Sequence, residues 1–388
     1  MFRVFVKLGL TSFGGPIAHL GYFRTELVER RRWVSDQGFA HLVALCQFLP
    51  GPASSQVGFG LGLHRAGFRG ALAAFVGFTL PSAALMVAFA YGSLWVTGPV
   101  GDGLLAGLKT VAVAIVAQAV LGMVRTLTPD VRRATIAVIA AAVALLVAGW
   151  LGQILALVLG AVAGLLLCRT TTGTTEGALR FPVSRGIGIA CLALYALLLG
   201  AGPLLVALTS APGVRLFEAF YRAGALVFGG GHVVLPLLQA GVVDPGWVTD
   251  HQFLAGYGAA QAVPGPLFTL AAYLGVLSTG GPQGVLGAVI ALVGIFLPGI
   301  LLLVGVMPLW NTLRARVWAQ ALMRGANAAV VGILGAALYT PVATSAITGP
   351  GHAALALVCL ALLVVGKIPP WAVVLVGAAG GVLLGLVG

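Results

Sequence analysis

The sequence predicts an all-α polytopic membrane protein made of two inverted-topology repeats, each with broken or re-entrant helices, joined by an extra transmembrane helix. Three observations predict it. Of 388 residues, 60% are hydrophobic and only 8% are charged, with a mean hydropathy of +1.08. A series of motifs in the first half returns, in order, in the second. Loops that carry cations in the first half are bare in the second, and the reverse.

The composition excludes a water-soluble globular domain. Apolar runs recur at Leu104 to Val124, Ala134 to Trp150, Gly186 to Leu208 and Gly284 to Met307, and each meets the requirement of roughly 20 residues for a membrane span. The N-terminal "MFRVFVKLGLTSFGG" lacks an apolar region followed by a small-residue cleavage site, so no removable signal peptide is expected. Cys46, Cys168, Cys191 and Cys359 stand in apolar segments without paired or metal-type spacing. They read as small buried hydrophobes, and no disulfide, metal or cofactor is expected. The net charge of +12, from 21 Lys and Arg against 9 Asp and Glu, lies mostly in short loops, as the positive-inside bias requires. It implies a lipid bilayer as partner and no nucleic acid.

The repeat is read from matched motifs. "WVSDQGF" at Trp33 to Phe39 returns as "WVTDHQF" at Trp247 to Phe253. Gln47 then matches Gln261, "PGP" at Pro50 to Pro52 matches "PGP" at Pro264 to Pro266, and "KLGLTSFGG" from Lys7 matches "RAGALVFGG" from Arg222. Leu80 and Pro81 match Leu297 and Pro298, and Gly107 matches Gly325. Three segments follow: residues 1–168, a first transporter repeat; residues 169–211, a loop and a linking span; and residues 212–388, a second repeat. If each repeat crosses an even number of times, the single linking span inserts the second repeat upside down.

Loop charges support that inversion. Arg24 to Arg32, Arg65 with Arg69, and Arg125 with Arg132 and Arg133 mark cytoplasmic loops of the first half, while Thr97 to Gly103 and the turn near Gly149 carry no cation. In the second half the stretches from Gly241, Thr279 and Thr340 are bare, and Arg314, Arg316 and Lys367 fill the complementary places. The same bias makes His41 to Gly62 enter and return, with "PGP" at its turn, because cations flank it on both sides. The segment around Phe13-Gly14-Gly15-Pro16 is expected to behave likewise. Four full crossings per half plus the linker give nine, and thirteen remains the alternative if every element spans.

Broken backbone at membrane depth is tolerated only where protein covers it or where it lines a watery cavity. A helix restarting after Pro50, or at Gly14 and Gly15, presents N–H groups and partial positive charge to an anion, and glycine permits close approach. The candidate substrate-binding set is therefore Lys7, Gly14, Gly15, Gln47, Gly51 and Ser54 in the first half, with Arg222, Gly229, Gly230, Gln261, Gly265 and Thr269 in the second. The repeat axis is expected to bring Lys7 and Arg222 toward a shared centre, since intramembrane cations are costly and functional. The structural alternatives are a snorkelling Lys7 and an ion pair of Arg222 with Glu218, four residues earlier. Ser12, Ser55 and Gln56 add neutral hydrogen-bonding groups. His232 reads as a gate or a cavity residue, and Lys109 stands where the second half has Asn327. Asp36 and Asp250 are expected to cap the helices entering each hairpin. Only Glu218 among the nine carboxylates lies inside an apolar segment, so the transported species is expected to be negative.

With "FGG", "WVSDQGF" and "WVTDHQF", "CQFLPGP" and "AQAVPGP", and the paired "LP" in view, the chain resembles the chromate ion transporter family in its long, fused two-domain form. The resemblance implies efflux of chromate conferring resistance, with sulfate as an analogue or exchange substrate, across a bacterial inner membrane. It implies no enzyme activity, and leaves a homodimer open. "FGGP" in the first half is "FGGG" in the second, so Pro16 has no counterpart. Moving one charge through 100 mV is worth about 2.3 kcal/mol, so a divalent anion leaves a negative interior downhill and needs no coupled ion. An oxyanion channel and a membrane lipid phosphatase are the alternatives, though a phosphatase needs an acid, base or nucleophile cluster that one Glu218 does not supply.

Overall fold

The computed structural model describes residues 1–93, 98–147, 149–169, 181–209, 211–228, 231–314 and 316–387. Among them every regular element is helical. The first half runs α1 (Phe2–Thr11), α2 (Gly15–Phe23), a π-helical turn (Arg24–Arg30), α3 (Asp36–Phe48), α4 (Ala53–Ser93), α5 (Gly98–Leu127), α6 (Val131–Leu146) and α7 (Gly149–Leu167). The linker is α8 (Arg185–Thr209). The second half runs α9 (Pro212–Ala225), α10 (Val234–Val242), α11 (Asp250–Ala262), α12 (Leu270–Leu277), α13 (Gly284–Val306), α14 (Trp310–Arg314), α15 (Val317–Ala337), α16 (Thr344–Ala346), α17 (Pro350–Val364) and α18 (Pro370–Val387).

Four pairs of these helices fold back on themselves. Phe5 and Phe23 lie nine residues either side of Gly14, and their rings meet edge-on at 5.8 Å, so α1 and α2 form a hairpin. Leu42 and Gly60, each nine residues from Gly51, are in contact, which makes α3 and the start of α4 a second. Ala219 touches Gly241 across the α9–α10 break, and Tyr273 touches Gly256 across the α11–α12 turn. The two expected re-entrant segments of each half are therefore doubled-back pairs.

Although α4 is helical over 41 residues, it breaks at Ala66 (φ −145°, ψ 27°) and Gly67 (φ 63°, ψ −160°). Gly67 adopts the left-handed turn that a side chain would strain. Gly62 and Gly70 then pack face to face across the break, as Gly275 and Gly287 do between α12 and α13. Among the described residues six segments are long and apolar enough to cross a membrane: Ala53–Ser93, Val100–Leu127, Gly149–Leu167, Arg185–Thr209, Gly284–Leu309 and Val317–Ala346. The apolar α17 and α18 are shorter.

The long helices are exchanged between the halves. α5 crosses α18 where Gly103 and Gly107 meet Gly377 and Gly381, backbone against backbone, and α15 crosses α7 where Ala321 and Gly325 meet Gly160 and Gly164. Gly107 corresponds to Gly325, so each half lays the same helix against the last helix of the other. Small residues permit such approach and are the usual glue between helices in lipid, where burial of apolar surface gives no drive. α8 is the least buried of the six long segments, at 6% of its apolar window, as befits a peripheral linker.

Two helix starts differ from expectation. The caps entering the hairpins are Ser35, whose Oγ accepts from the Gly38 N–H, and Thr249, in a reciprocal capping box with Gln252. Asp36 and Asp250 sit one residue inside, where their charge meets the positive end of the helix. A short hydroxyl reaches back to the free N–H groups from the flanking position, which leaves the carboxylates free for other partners.

Candidate functional site

The two helix breaks and the two hairpin turns meet, and they do so crosswise. α1 ends with Ser12 extended (φ −88°, ψ 97°), and the chain turns through Gly14 (φ 95°) and Gly15 (φ 79°) into α2. The "PGP" turn of the first half places Gly51 at φ 121°, that of the second places Gly265 at φ 100°, and both values lie where side chains are strained. The Gly51 N–H donates to the Val227 carbonyl (2.7 Å), in the break of the second half, and the Gly265 N–H donates to the Ser12 carbonyl (2.9 Å), in the break of the first. Ser12 and Val227 are equivalent positions of the repeat. The two turn N–H groups expected to hold an anion thus bind the opposite half instead. An extended residue at a helix end frees its carbonyl, and the turn glycine supplies the missing donor.

The paired "LP" motifs belong to the same contact. Gly51 lies against Gly299, just after Pro298 in α13, and Gly265 lies against Ser82, just after Pro81 in α4. Proline frees the carbonyl four residues earlier, here Gly77 in α4, and Gly9 of α1 packs on the Gly77 and Phe78 carbonyls. Gly224 packs likewise on Ile295. Gln56 fixes one side: its amide Nε2 donates to the Pro50 carbonyl (3.0 Å) and across the halves to the Gly299 carbonyl (2.9 Å). Pro16 touches Gly231, so the two breaks are also neighbours.

The other candidate residues fall into three groups. Ser54 is buried, with its Oγ 3.3 Å from His19 Nδ1. Thr269 is buried but its hydroxyl donates to the Pro266 carbonyl (2.7 Å). Gln261 has a buried amide nitrogen with no hydrogen-bond partner among the described residues, whereas its match Gln47 is exposed. Gly229 and Gly230, like Thr97, lie outside the described residues.

The cations are each held by a carboxylate of their own half. Lys7 Nζ is 3.6 Å from Glu26, with 54% of the side chain exposed, and Glu26 also binds Arg31 (2.7 Å) and Arg30 (3.4 Å). Arg222 pairs with Glu218 at 3.3 Å, the two being 18% and 12% exposed, and its guanidinium lies 4.8 Å from the Trp150 ring centroid of α7. The structural alternative for Arg222 is thus present in full. Replacing Arg222 with Gln leaves a buried carboxylate unpaired and is expected to lower stability by about 3 kcal/mol. Lys7→Gln should cost no more than about 1 kcal/mol. Thermal unfolding of both variants in detergent checks the order.

With this crossing in place, comparison with known proteins is decisive. The chromate transporter family matches residues 1–165 and 214–382. The chain belongs to the chromate transporter family. It is 29% identical to a chromate transport protein of Pseudomonas aeruginosa over 87% of this chain and 79% of that one. It is 31% identical to a probable chromate transport protein of Synechococcus elongatus over 87% and 82%, and 29% identical to a chromate transport protein of Cupriavidus metallidurans over 99% and 91%. No solved structure matches the chain significantly. The chain is therefore a transporter and not an enzyme, and the lipid phosphatase alternative falls.

In this transporter the structure adds contacts of two histidines, His19 buried and His232 half-buried. His19, 1% exposed, also faces the Ser12 carbonyl and packs edge-on against Phe78 at 5.5 Å. His232 Nδ1 lies 2.7 Å from Tyr257 Oη. His19 and Tyr257 carried no motif: the repeat has Val234 and Val43 at the matching places, so pattern matching passes over both. A second feature is a cavity of about 490 Å³ lined by Gln153, Gln239, Asp244, Asp250 and Thr340. Burial, and then the neighbouring Asp250 charge, push the Asp244 carboxyl above its ordinary range.

Proposed function

We propose that this transporter moves a divalent oxyanion, chromate foremost and sulfate as analogue or exchange substrate, outward across a bacterial inner membrane, and so confers chromate resistance. The observation that carries the reading is the reciprocal seat of each "PGP" turn on the broken helix of the other half, in a chain of the chromate transporter family. Broken backbone at such a crossing is what transporters of inverted repeats use to bind ions. Family relatives carry chromate in their names, and the scarcity of carboxylates within the apolar segments fits an anion as cargo. A membrane potential of 100 mV favours export of a divalent anion by about 4.6 kcal/mol, twice the value for one charge.

The site proposed is the crossing itself: Gly14, Gly15, Gly51 and Gly265 give the backbone its close approach, with Ser54 and Gln261 beside them, and Gly229 and Gly230 join the proposed set by sequence alone. Lys7 and Arg222 act on the anion through the field of their ion pairs. Thr269 leaves the set because its hydroxyl is engaged by the Pro266 carbonyl. Flux in proteoliposomes with an imposed potential, run against chromate, sulfate, molybdate and phosphate, tests the reading. Potential-driven chromate flux that sulfate inhibits supports it, and no oxyanion flux would end it. Accelerated counterflow of labelled chromate distinguishes a carrier from a channel.

The inverted repeat is part of the same proposal, with residues 1–168 and 212–388 as the halves and nine crossings in all. In a cysteine-free background, a cysteine at Thr279 should be labelled only from outside and one at Arg65, its match in the first half, only from the cytoplasm. Labelling of both from the same side would sink the inversion.

A further inference from the structure

Among the described residues, three buried hydroxyls at the first-half side of the crossing have no hydrogen-bond partner: Ser12 Oγ, Ser55 Oγ and Thr79 Oγ1. The residues are 0%, 3% and 6% exposed. Such groups are ordinarily satisfied, and each left bare costs about 1–3 kcal/mol. They come from the end of α1 and from two stretches of α4, and His19 touches the residue itself or its neighbour in each. Its ring faces the Ser12 carbonyl at the end of α1, the Ser54 hydroxyl beside Ser55 at the start of α4, and Phe78 beside Thr79 further along α4. The Gly265 turn closes the group from the other half, seated on the Ser12 carbonyl and against Ser82.

The second half has no such set. Where the repeat places Ser12, Ser54, Ser55 and Thr79, the second half has Val227, Phe268, Thr269 and Phe296, and Thr269 spends its hydroxyl on the Pro266 carbonyl. Packing alone therefore does not require hydroxyls at these positions, because the same fold is built with apolar side chains opposite. The first turns of α2 and α4 begin at this group, and their leading N–H groups have no acceptor within their helices, which adds positive potential without a fixed charge.

We propose that Ser12, Ser55 and Thr79 form the oxyanion-binding subsite, donating neutral hydrogen bonds to the oxygens of chromate or sulfate, with His19 as the positioning residue that holds the end of α1 and the two stretches of α4 in register. The inference rests on the transport reading above and locates its binding groups on one side of the crossing. Neutral donors suit a cargo that must leave again. Hydrogen bonds to a charged ligand are stronger than those between neutral groups, yet no buried cation is left behind to trap the anion or to stand unpaired after release.

The test is the concentration dependence of chromate flux in proteoliposomes for Ser12→Ala, Ser55→Ala and Thr79→Val, beside Thr269→Val as the mirror control. Each of the first three should raise the KM for chromate about tenfold or more, as loss of one hydrogen bond to a charged ligand implies, with unfolding temperatures close to wild type. Thr269→Val should keep the wild-type KM. His19→Phe, which keeps a ring against Phe78 but removes the polar ties, should raise KM, and sulfate inhibition should weaken in parallel. Wild-type flux with an unchanged KM in all three hydroxyl variants, or an equal rise in Thr269→Val, overturns the subsite and leaves the transport reading standing. Wild-type vesicles that move no oxyanion overturn both.

Discussion

Gly51→Val and Gly265→Val should each reduce chromate flux at least about a hundredfold while the protein still reaches the membrane. Valine at φ 121° or 100° is strained wherever it sits, and here there is no room either. A Cβ on Gly51 would stand 3.1 Å from the Gly299 Cα and 2.9 Å from Gln56 Nε2; one on Gly265 would stand 2.8 Å from Ser82 Oγ and 3.3 Å from the Gly9 carbonyl. Backbone on the far side cannot yield without moving a long helix, so the turn must lift away. Lifting it breaks the N–H bond to Val227 or to Ser12 and uncouples the turn from the opposite half. Gly15→Ala separates strain from collision, since φ is 79° but no described residue lies within 4 Å of a Cβ there. It should lose severalfold at most. Gln47→Ala, at an exposed position, should be near wild type. Flux per inserted protein, normalised by quantitative blotting, checks all four, and Gly51→Val vesicles at wild-type rate would show that the turn merely punctuates the helix.

Those glycines were legible in the sequence because their cause is local. A helix cannot run through Pro-Gly-Pro, and two copies 214 residues apart mark a feature that the fold needs twice. The doubling back of α3 on α4 was likewise legible, from cations on both flanks. What the sequence hid is where the freed groups go. The Gly51 N–H could serve an anion or a carbonyl equally well, and only the crossing of the halves decides for Val227. The pairing of Lys7 with Glu26 was hidden too, because Glu26 lies in a π-helical turn that brings it back beside α1. His19 and Thr79 were invisible for a different reason. A lone histidine or threonine in an apolar run has no spacing to read, and its meaning comes from neighbours contributed by α1 and by the start of α4.

The exchange of long helices has the same origin and a sharp consequence. Matched glycines announce close contact, but they do not say with which partner. In the folded chain each half contributes α5 or α15 to the other, so the crossings at Gly107 and at Gly325 are two of the places where the halves are held as one body. That body is what allows the turns and breaks to stay seated on each other.

Gly325→Leu should therefore prevent assembly of the folded transporter, and Gly107→Leu should do so by the same route. At Gly325 the approach is backbone to backbone: a Cβ there would overlap the Gly160 carbonyl and stand 2.5 Å from the Gly164 Cα. At Gly107 it would overlap the Gly377 carbonyl and stand 3.0 Å from the Ala378 Cα. No side-chain rotation relieves either clash, so α15 must part from α7, or α5 from α18, along the whole contact, and packing in lipid has no hydrophobic drive to compensate. The loss should be several kcal/mol, the range of severe overpacking and beyond. Each helix carries its own control, because at Gly335 in α15 and Gly122 in α5 no described residue lies within 4 Å of an added Cβ. Leucine at those positions adds the same bulk and the same helix propensity toward open space. Size-exclusion profiles and unfolding temperatures in detergent read the result: monodisperse protein from Gly335→Leu and Gly122→Leu, aggregate or none from Gly325→Leu and Gly107→Leu. Folded, wild-type-like protein from either crossing variant would mean that the halves are not held together by these contacts.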